Sequence, residues 1–198
     1  METVLTVMAG IGLSAACGFR VFVPMLVMSV ASLSGHLTLA PGFQWIATYP
    51  ALITFSVATA VEIAGYYIPW LDHLLDTMAT PAAVIAGTII TASMVSGMSP
   101  FMKWTLAIIA GGGTAGLVQG TTVVARGFST ASTGGLANPL FATIELGGSL
   151  VTSVVAIVVP WLAVLLVAAL FVFVGKKILG RGKTRIVTNS RDLIRENP

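Results

Sequence analysis

The chain has 198 residues, of which 56% are hydrophobic and only 9% charged, against about 25% charged in a typical soluble domain. A mean hydropathy of +0.97 excludes a water-wetted surface and points to an integral membrane protein. The net charge of +3 is no footprint for nucleic acid, because seven of the ten Lys and Arg, from Lys176 to Arg195, follow the last apolar run.

Apolar stretches of about twenty residues, enough to cross roughly 30 Å of hydrocarbon, recur along the chain. Six spans fit: residues 5–33, 50–69, 81–100, 102–126, 138–159 and 160–178. The fold class that follows is all-α, a polytopic membrane helix bundle. Residues 1–178 form its transmembrane domain and residues 179–198 a basic tail. A basic flank beside a span marks the cytoplasmic side and can also touch anionic lipid. An even number of spans then puts both termini in the cytoplasm and the 34–49 connection, which lacks Lys and Arg, outside. Lys103, in an outside turn, runs against this orientation.

The first span carries Gly10, Ser14 and Gly18 at four-residue spacing, and the fourth carries Gly112, Gly116 and Gly120. Small residues so spaced form a flat strip along which two helix backbones approach closely. The two spans are expected to pack face to face or against a second subunit. Cys17 is single, so no disulfide forms within the chain. Its context, Leu13-Ser14-Ala15-Ala16-Cys17, faintly matches a lipoprotein cleavage site. No basic residue precedes it, however, and the apolar run continues past it, so the segment reads as a retained transmembrane helix.

Arg20 lies fifteen residues beyond Leu5, about 22 Å along a helix at a rise of 1.5 Å per residue. A lone charge at the bilayer centre costs about 2.5–3.5 kcal/mol on insertion scales. Pro24 cannot donate to the carbonyl of Arg20, so the helix is expected to break or kink there. Two readings of Arg20 stand together: an anion site at a broken helix, or an ion pair with Glu62 in the second span.

Residues 69–78 read as a short amphipathic helix at the membrane interface, with Asp72, His73, Asp76 and Thr77 on its polar face. Asp72 and Asp76, four residues apart, repel unless a cation, a proton or an Arg intervenes. A solvated face and a salt bridge to Arg126 are the plain alternatives to cation binding. Thr80 and Pro81 follow.

Residues 126–139 hold Arg126, Ser129, Thr130, Ser132, Thr133, Gly134 and Gly135 before Asn138-Pro139. This polar stretch reads as a functional loop whose free N–H groups can bind anions or substrate oxygens. Asn138 is expected to cap the fifth span, with Pro139 in its first turn. Glu145, Ser149 and Thr152 then give that span a polar stripe. A carboxylate at this depth is paired, protonated or facing water, and Glu145 and Glu62 are the leading proton- or cation-handling groups.

Weak internal matches recur about one half-chain apart. Ala9-Gly10-Ile11-Gly12 is echoed by Ala110-Gly111-Gly112-Gly113, and Pro69-Trp70-Leu71 by Pro160-Trp161-Leu162. Three spans per half, residues 1–100 and 101–178, would make an inverted repeat of the kind common in transporters. No nucleophile–base pair, metal-ligand spacing or phosphate-binding glycine loop is visible. No enzyme activity, metal or cofactor is therefore expected.

The chain resembles an uncharacterised bacterial integral-membrane family known only as a domain of unknown function. The resemblance covers about residues 5–175. It rests on Gly18-x-Arg20 with Pro24, and on Asp72-x-x-x-Asp76 with Thr80-Pro81. Most specifically, it rests on Arg126-x-x-Ser129-Thr130-x-x-Thr133-Gly134-Gly135 with Asn138-Pro139 and Glu145. It implies that these positions form one site in a bacterial inner-membrane protein, and it carries no activity with it. The expectation is a small transporter or channel for an ion or small polar solute. Its site would comprise Arg20, Glu62, Asp72, Asp76, Thr80, Arg126, Ser129, Thr130, Thr133, Asn138 and Glu145. A lipid-handling protein and a structural assembly subunit are the alternatives. Expected partners are the lipid bilayer, the solute and a second copy of the chain, and not nucleic acid.

Overall fold

The structure, a computed structural model, describes residues 2–173 and 175–176, with the side chains of residues 2 and 69–73 excepted. The chain forms two compact units, Met1–Val164 and Leu165–Pro198. The described residues are mostly helical, with no strand among them. In order they form α1 (Glu2–Cys17), α2 (Phe22–Leu33), α3 (Tyr49–Tyr66) and α4 (Pro69–Met94). Next come α5 (Pro100–Leu106), a π-helical segment (Ala107–Gly112), α6 (Gly113–Thr133) and α7 (Asn138–Val158), and finally α8 (Pro160–Phe173).

Among the described residues, three helical runs are long and apolar enough to cross a membrane: Leu74–Met94, Pro100–Thr133 and Asn138–Val158. Three shorter apolar helices accompany them, Thr3–Cys17, Phe22–Leu33 and Pro160–Phe173. Large apolar side chains point outward from them: Val57 and Val61 on α3, Ile85 on α4, Leu117 and Val124 on α6, Ile144 and Val151 on α7. The interior holds alanines and larger apolar residues such as Leu13, Met28, Ile46 and Ile90, and among them many polar ones, including Ser14, Ser29, Thr91, Ser93, Gln119, Ser149 and Ser153. A soluble domain does not present so continuous an apolar surface. This is a membrane protein.

Sequence and structure part company at three places. The first expected span is two helices. Gly18, Phe19 and Arg20 lie between α1 and α2, and Pro24 sits in the first turn of α2, where no helical N–H is required. Residues 69–78 are no separate interfacial helix, because α4 runs unbroken from Pro69 to Met94 with Pro81 inside it. The 126–139 stretch is helical as far as Thr133. There the hydroxyls of Ser132 and Thr133 donate to the carbonyls of Phe128 and Ser129 four residues back, at 2.8 Å each. Satisfied in this way, they no longer compete with the helix. Only residues 134–137 turn, with Gly134 and Gly135 at φ 64° and 89°.

In the first unit α1 is the most enclosed helix, with Leu13 to Cys17 fully buried. Ser14 Oγ donates to the Gly87 carbonyl of α4 at 2.7 Å and lies 2.8 Å from Thr91 Oγ1. The glycine strips divide their contacts. Gly18 faces Ala115 and Val118 on α6, as expected for spans one and four, but Gly10 faces Thr91 and Met94 on α4. Gly111 and Gly112, in the π-helical segment, also lie on α4, against Gly87, Thr88 and Thr91. With lipid outside, such backbone approach and interhelical hydrogen bonds replace the hydrophobic driving force.

Candidate functional site

The break between α1 and α2 frees backbone groups at both helix ends, and neighbouring helices satisfy several of them. Glu62, from the buried face of α3, accepts from the N–H groups of Val21 at 2.8 Å and Phe22 at 3.1 Å. This is the favourable place for a carboxylate, since N–H groups and the positive end of the helix dipole converge there. On the other side Ser149 Oγ of α7 donates to the Ala16 carbonyl at 3.0 Å. Of the two readings of Arg20, the ion pair with Glu62 is not formed. Glu62 serves the start of α2, and Arg20, released from helical geometry, reaches across to α7.

There Arg20 Nη2 donates to the Ala142 carbonyl at 2.9 Å and lies 3.8 Å from Glu145 Oε2. Arg126, on the buried face of α6, meets the same carboxylate in a two-pronged pair: Nε donates to Oε1 at 2.9 Å, and Nη2 to Oε2. Its Nη1 also donates to Asp76 Oδ1 of α4 at 3.2 Å. Tyr66 at the end of α3 completes the cluster. Its ring lies under both guanidinium carbons, 3.8 Å from that of Arg20 and 4.2 Å from that of Arg126. Four helices and the α1–α2 break thus place two guanidiniums, two carboxylates and one aromatic ring in contact. Four of its members are enclosed, since Arg20, Arg126, Tyr66 and Glu145 are each 5% exposed or less, and Asp76 alone is partly exposed, its side chain at 17%.

The remaining expected residues divide. Ser129 is buried one turn beyond Arg126. Asn138 Nδ2 donates to Thr130 Oγ1 at 3.1 Å, tying α6 to the start of α7. Asn138 is therefore the first residue of α7 and a link to α6, not its cap; the residue preceding the helix, Ala137, makes no side-chain cap. Thr133 works locally, donating to Ser129 O and accepting from the Ala137 N–H. The turn expected to offer free N–H groups uses most of them itself: Gly134 donates to Thr130 O, Leu136 to Thr133 O, and Asn138 to Gly135 O. Thr80 is exposed and bonds back to the Asp76 carbonyl at 3.4 Å. The side chains of Asp72 and His73, and the basic tail from residue 179, lie outside the described residues.

A family model described as a domain of unknown function (DUF4126) matches residues 7–178. The chain belongs to this family. The match takes in every member of the cluster, so the DUF4126 domain contains the whole site and not a fragment of it. No curated protein and no solved structure matches the chain.

Tyr66 was not legible as a site residue from sequence, because an aromatic at a helix end reads as an interface anchor. The available signal is spacing: Tyr66 lies four residues beyond Glu62 and shares its face.

Proposed function

We propose that this DUF4126 protein is a small transporter or channel for an ion or small polar solute. It crosses a bacterial inner membrane with six spans and keeps both termini in the cytoplasm. The observation that carries the reading is the sharing of Glu145. Arg20, from the N-terminal half, and Arg126, from the C-terminal half, both face this one carboxylate, while Arg126 also reaches back to Asp76 of the first half. Intramembrane ionisable groups are costly, and they mark solute and ion pathways. A site at the junction of two three-span halves is where inverted-repeat transporters bind their substrates, and each half here contributes one Arg and one carboxylate, Arg20 and Asp76 from the first and Arg126 and Glu145 from the second. The burial of Arg20, Arg126, Tyr66 and Glu145, with only Asp76 partly exposed, favours an occluded binding site over an open pore.

Glu145 is the group on which a cycle turns. Neutralising it, as Glu145→Gln does, releases both guanidiniums at once and loosens α7 from α6. Purified protein in liposomes, recorded on a solid-supported membrane against a panel of ions and metabolites, tests this. A solute-induced current abolished by Glu145→Gln supports the reading, and currents unaffected by that change oppose it.

One observation favours a second reading, a structural subunit. Each nitrogen of the Arg126 guanidinium donates to a protein carboxylate, as it would if the pair only specified helix packing. That reading predicts that exchanging the charges, Arg126→Glu with Glu145→Arg, restores whatever either single change loses.

A further inference from the structure

The two guanidiniums are not equivalent. Arg126 is engaged on all three nitrogens. Arg20 is only 2% exposed, yet its Nε and Nη1 have no acceptor among the described residues. A buried donor left unsatisfied costs about 1–3 kcal/mol, more when it is charged. The carboxylates show the opposite condition: both oxygens of Glu62 and both of Glu145 already accept hydrogen bonds. The cluster therefore has donors to spare around Arg20, and a guanidinium has no acceptor to offer. Ser129 Oγ on α6 and Thr59 Oγ1 on α3, one turn from Arg126 and Glu62, are two further buried hydroxyls without a partner.

We propose that Arg20 binds a small monovalent anion, of the halide or carboxylate class, through Nε and Nη1, and that this anion is the solute of the transport reading on which the inference rests. The chemistry excludes a metal cation at this point, because the open groups are donors. Three carboxylates, Glu62, Asp76 and Glu145, outnumber the two guanidiniums they stand near, so each added negative charge is costly and a singly charged ligand is favoured over a doubly charged one. Enclosure limits its size. Tyr66 covers a face of the Arg20 guanidinium and leaves its N–H edges, which lie in the plane, to the ligand.

Binding of radiolabelled chloride and formate to purified full-length protein tests the proposal. It is done in maltoside micelles, which hold no phosphate, and in phosphatidylglycerol nanodiscs. The expected result is saturable binding of at least one of the two anions in both settings, weakened tenfold or more in Arg20→Lys, which keeps the charge and loses the guanidinium edges. Binding unchanged in Arg20→Lys, or no saturable binding, overturns the proposal. Binding that phosphatidylglycerol suppresses also overturns it and assigns the site to a lipid phosphodiester. Crystals grown in bromide give a readout that needs no variant: an anomalous peak at hydrogen-bond distance from Arg20 Nε or Nη1 supports the assignment, and its absence there refutes it. Cation flux without anion binding would refute this inference alone and leave transport standing. Anion binding without flux of any solute would uphold the site and remove transport.

Discussion

Arg126 and Glu145 are joined by two hydrogen bonds, Nε to Oε1 at 2.9 Å and Nη2 to Oε2, across the packing of α6 on α7, with both side chains buried. The pair defines how these helices meet. It also sets the local charge balance, since a guanidinium or carboxylate left alone in this interior has no water to solvate it.

Arg126→Ala and Glu145→Ala are each expected to destabilise the protein by about 3–5 kcal/mol, the cost of orphaning one partner of a buried pair. The apolar double change Arg126→Met/Glu145→Leu is expected to recover only part of that loss, because it also takes Glu145 from Arg20 and Arg126 from Asp76. Unfolding in mixed micelles, arranged as a double-mutant cycle, measures the coupling.

Much of this cluster was legible in the sequence. Arg20, Arg126 and Glu145 are conspicuous because charge is rare in so apolar a chain. Their pairing was not legible: Glu62 is drawn to the N–H groups of Val21 and Phe22, which only the helix break frees, and that leaves Arg20 to Glu145. The helix through residues 126–133 was hidden for a related reason. Ser and Thr read as loop formers in water, but here Ser132 and Thr133 donate to carbonyls within their own helix. Residues 69–78 matched an interfacial helix by their polar face, with the next span begun at Pro81, whereas proline inside a helix removes one backbone hydrogen bond without ending the run.

Glu62→Ala is expected to leave two N–H groups at the start of α2 without their acceptor, at a cost of about 1–3 kcal/mol for each. Hydrogen exchange should accelerate at Val21 and Phe22 while the amides in the middle of α4 stay protected. Unchanged exchange at those two positions would mean that Glu62 does not hold the helix start.

Close helix approach is tested at glycine. A Cβ on Gly18 would lie 2.6 Å from the Ala115 carbonyl oxygen and 2.5 Å from Val118 Cβ, so Gly18→Ala is expected to cost about 1–3 kcal/mol as overpacking. Gly120 in α6 and Gly147 in α7 have nothing within 4 Å of such a Cβ. Alanine there should be neutral or stabilising by up to about 1 kcal/mol, through helix propensity. Melting temperatures of the three variants in one detergent give the comparison.

Tyr66 lies under both guanidinium carbons. Tyr66→Phe keeps the ring and should change stability little, whereas Tyr66→Leu should lose about 1–2 kcal/mol of cation–π attraction. Equal effects of the two changes would shift the role from the ring to the hydroxyl.

The central claim is that the buried cluster is a working site and not only a packing device. Its most direct test is the solute-induced current from liposomes containing Arg126→Met/Glu145→Leu, once unfolding has shown that this variant folds. The account predicts currents from wild-type protein with at least one solute, and none from the folded double variant. Wild-type currents from a protein without the pair would contradict it.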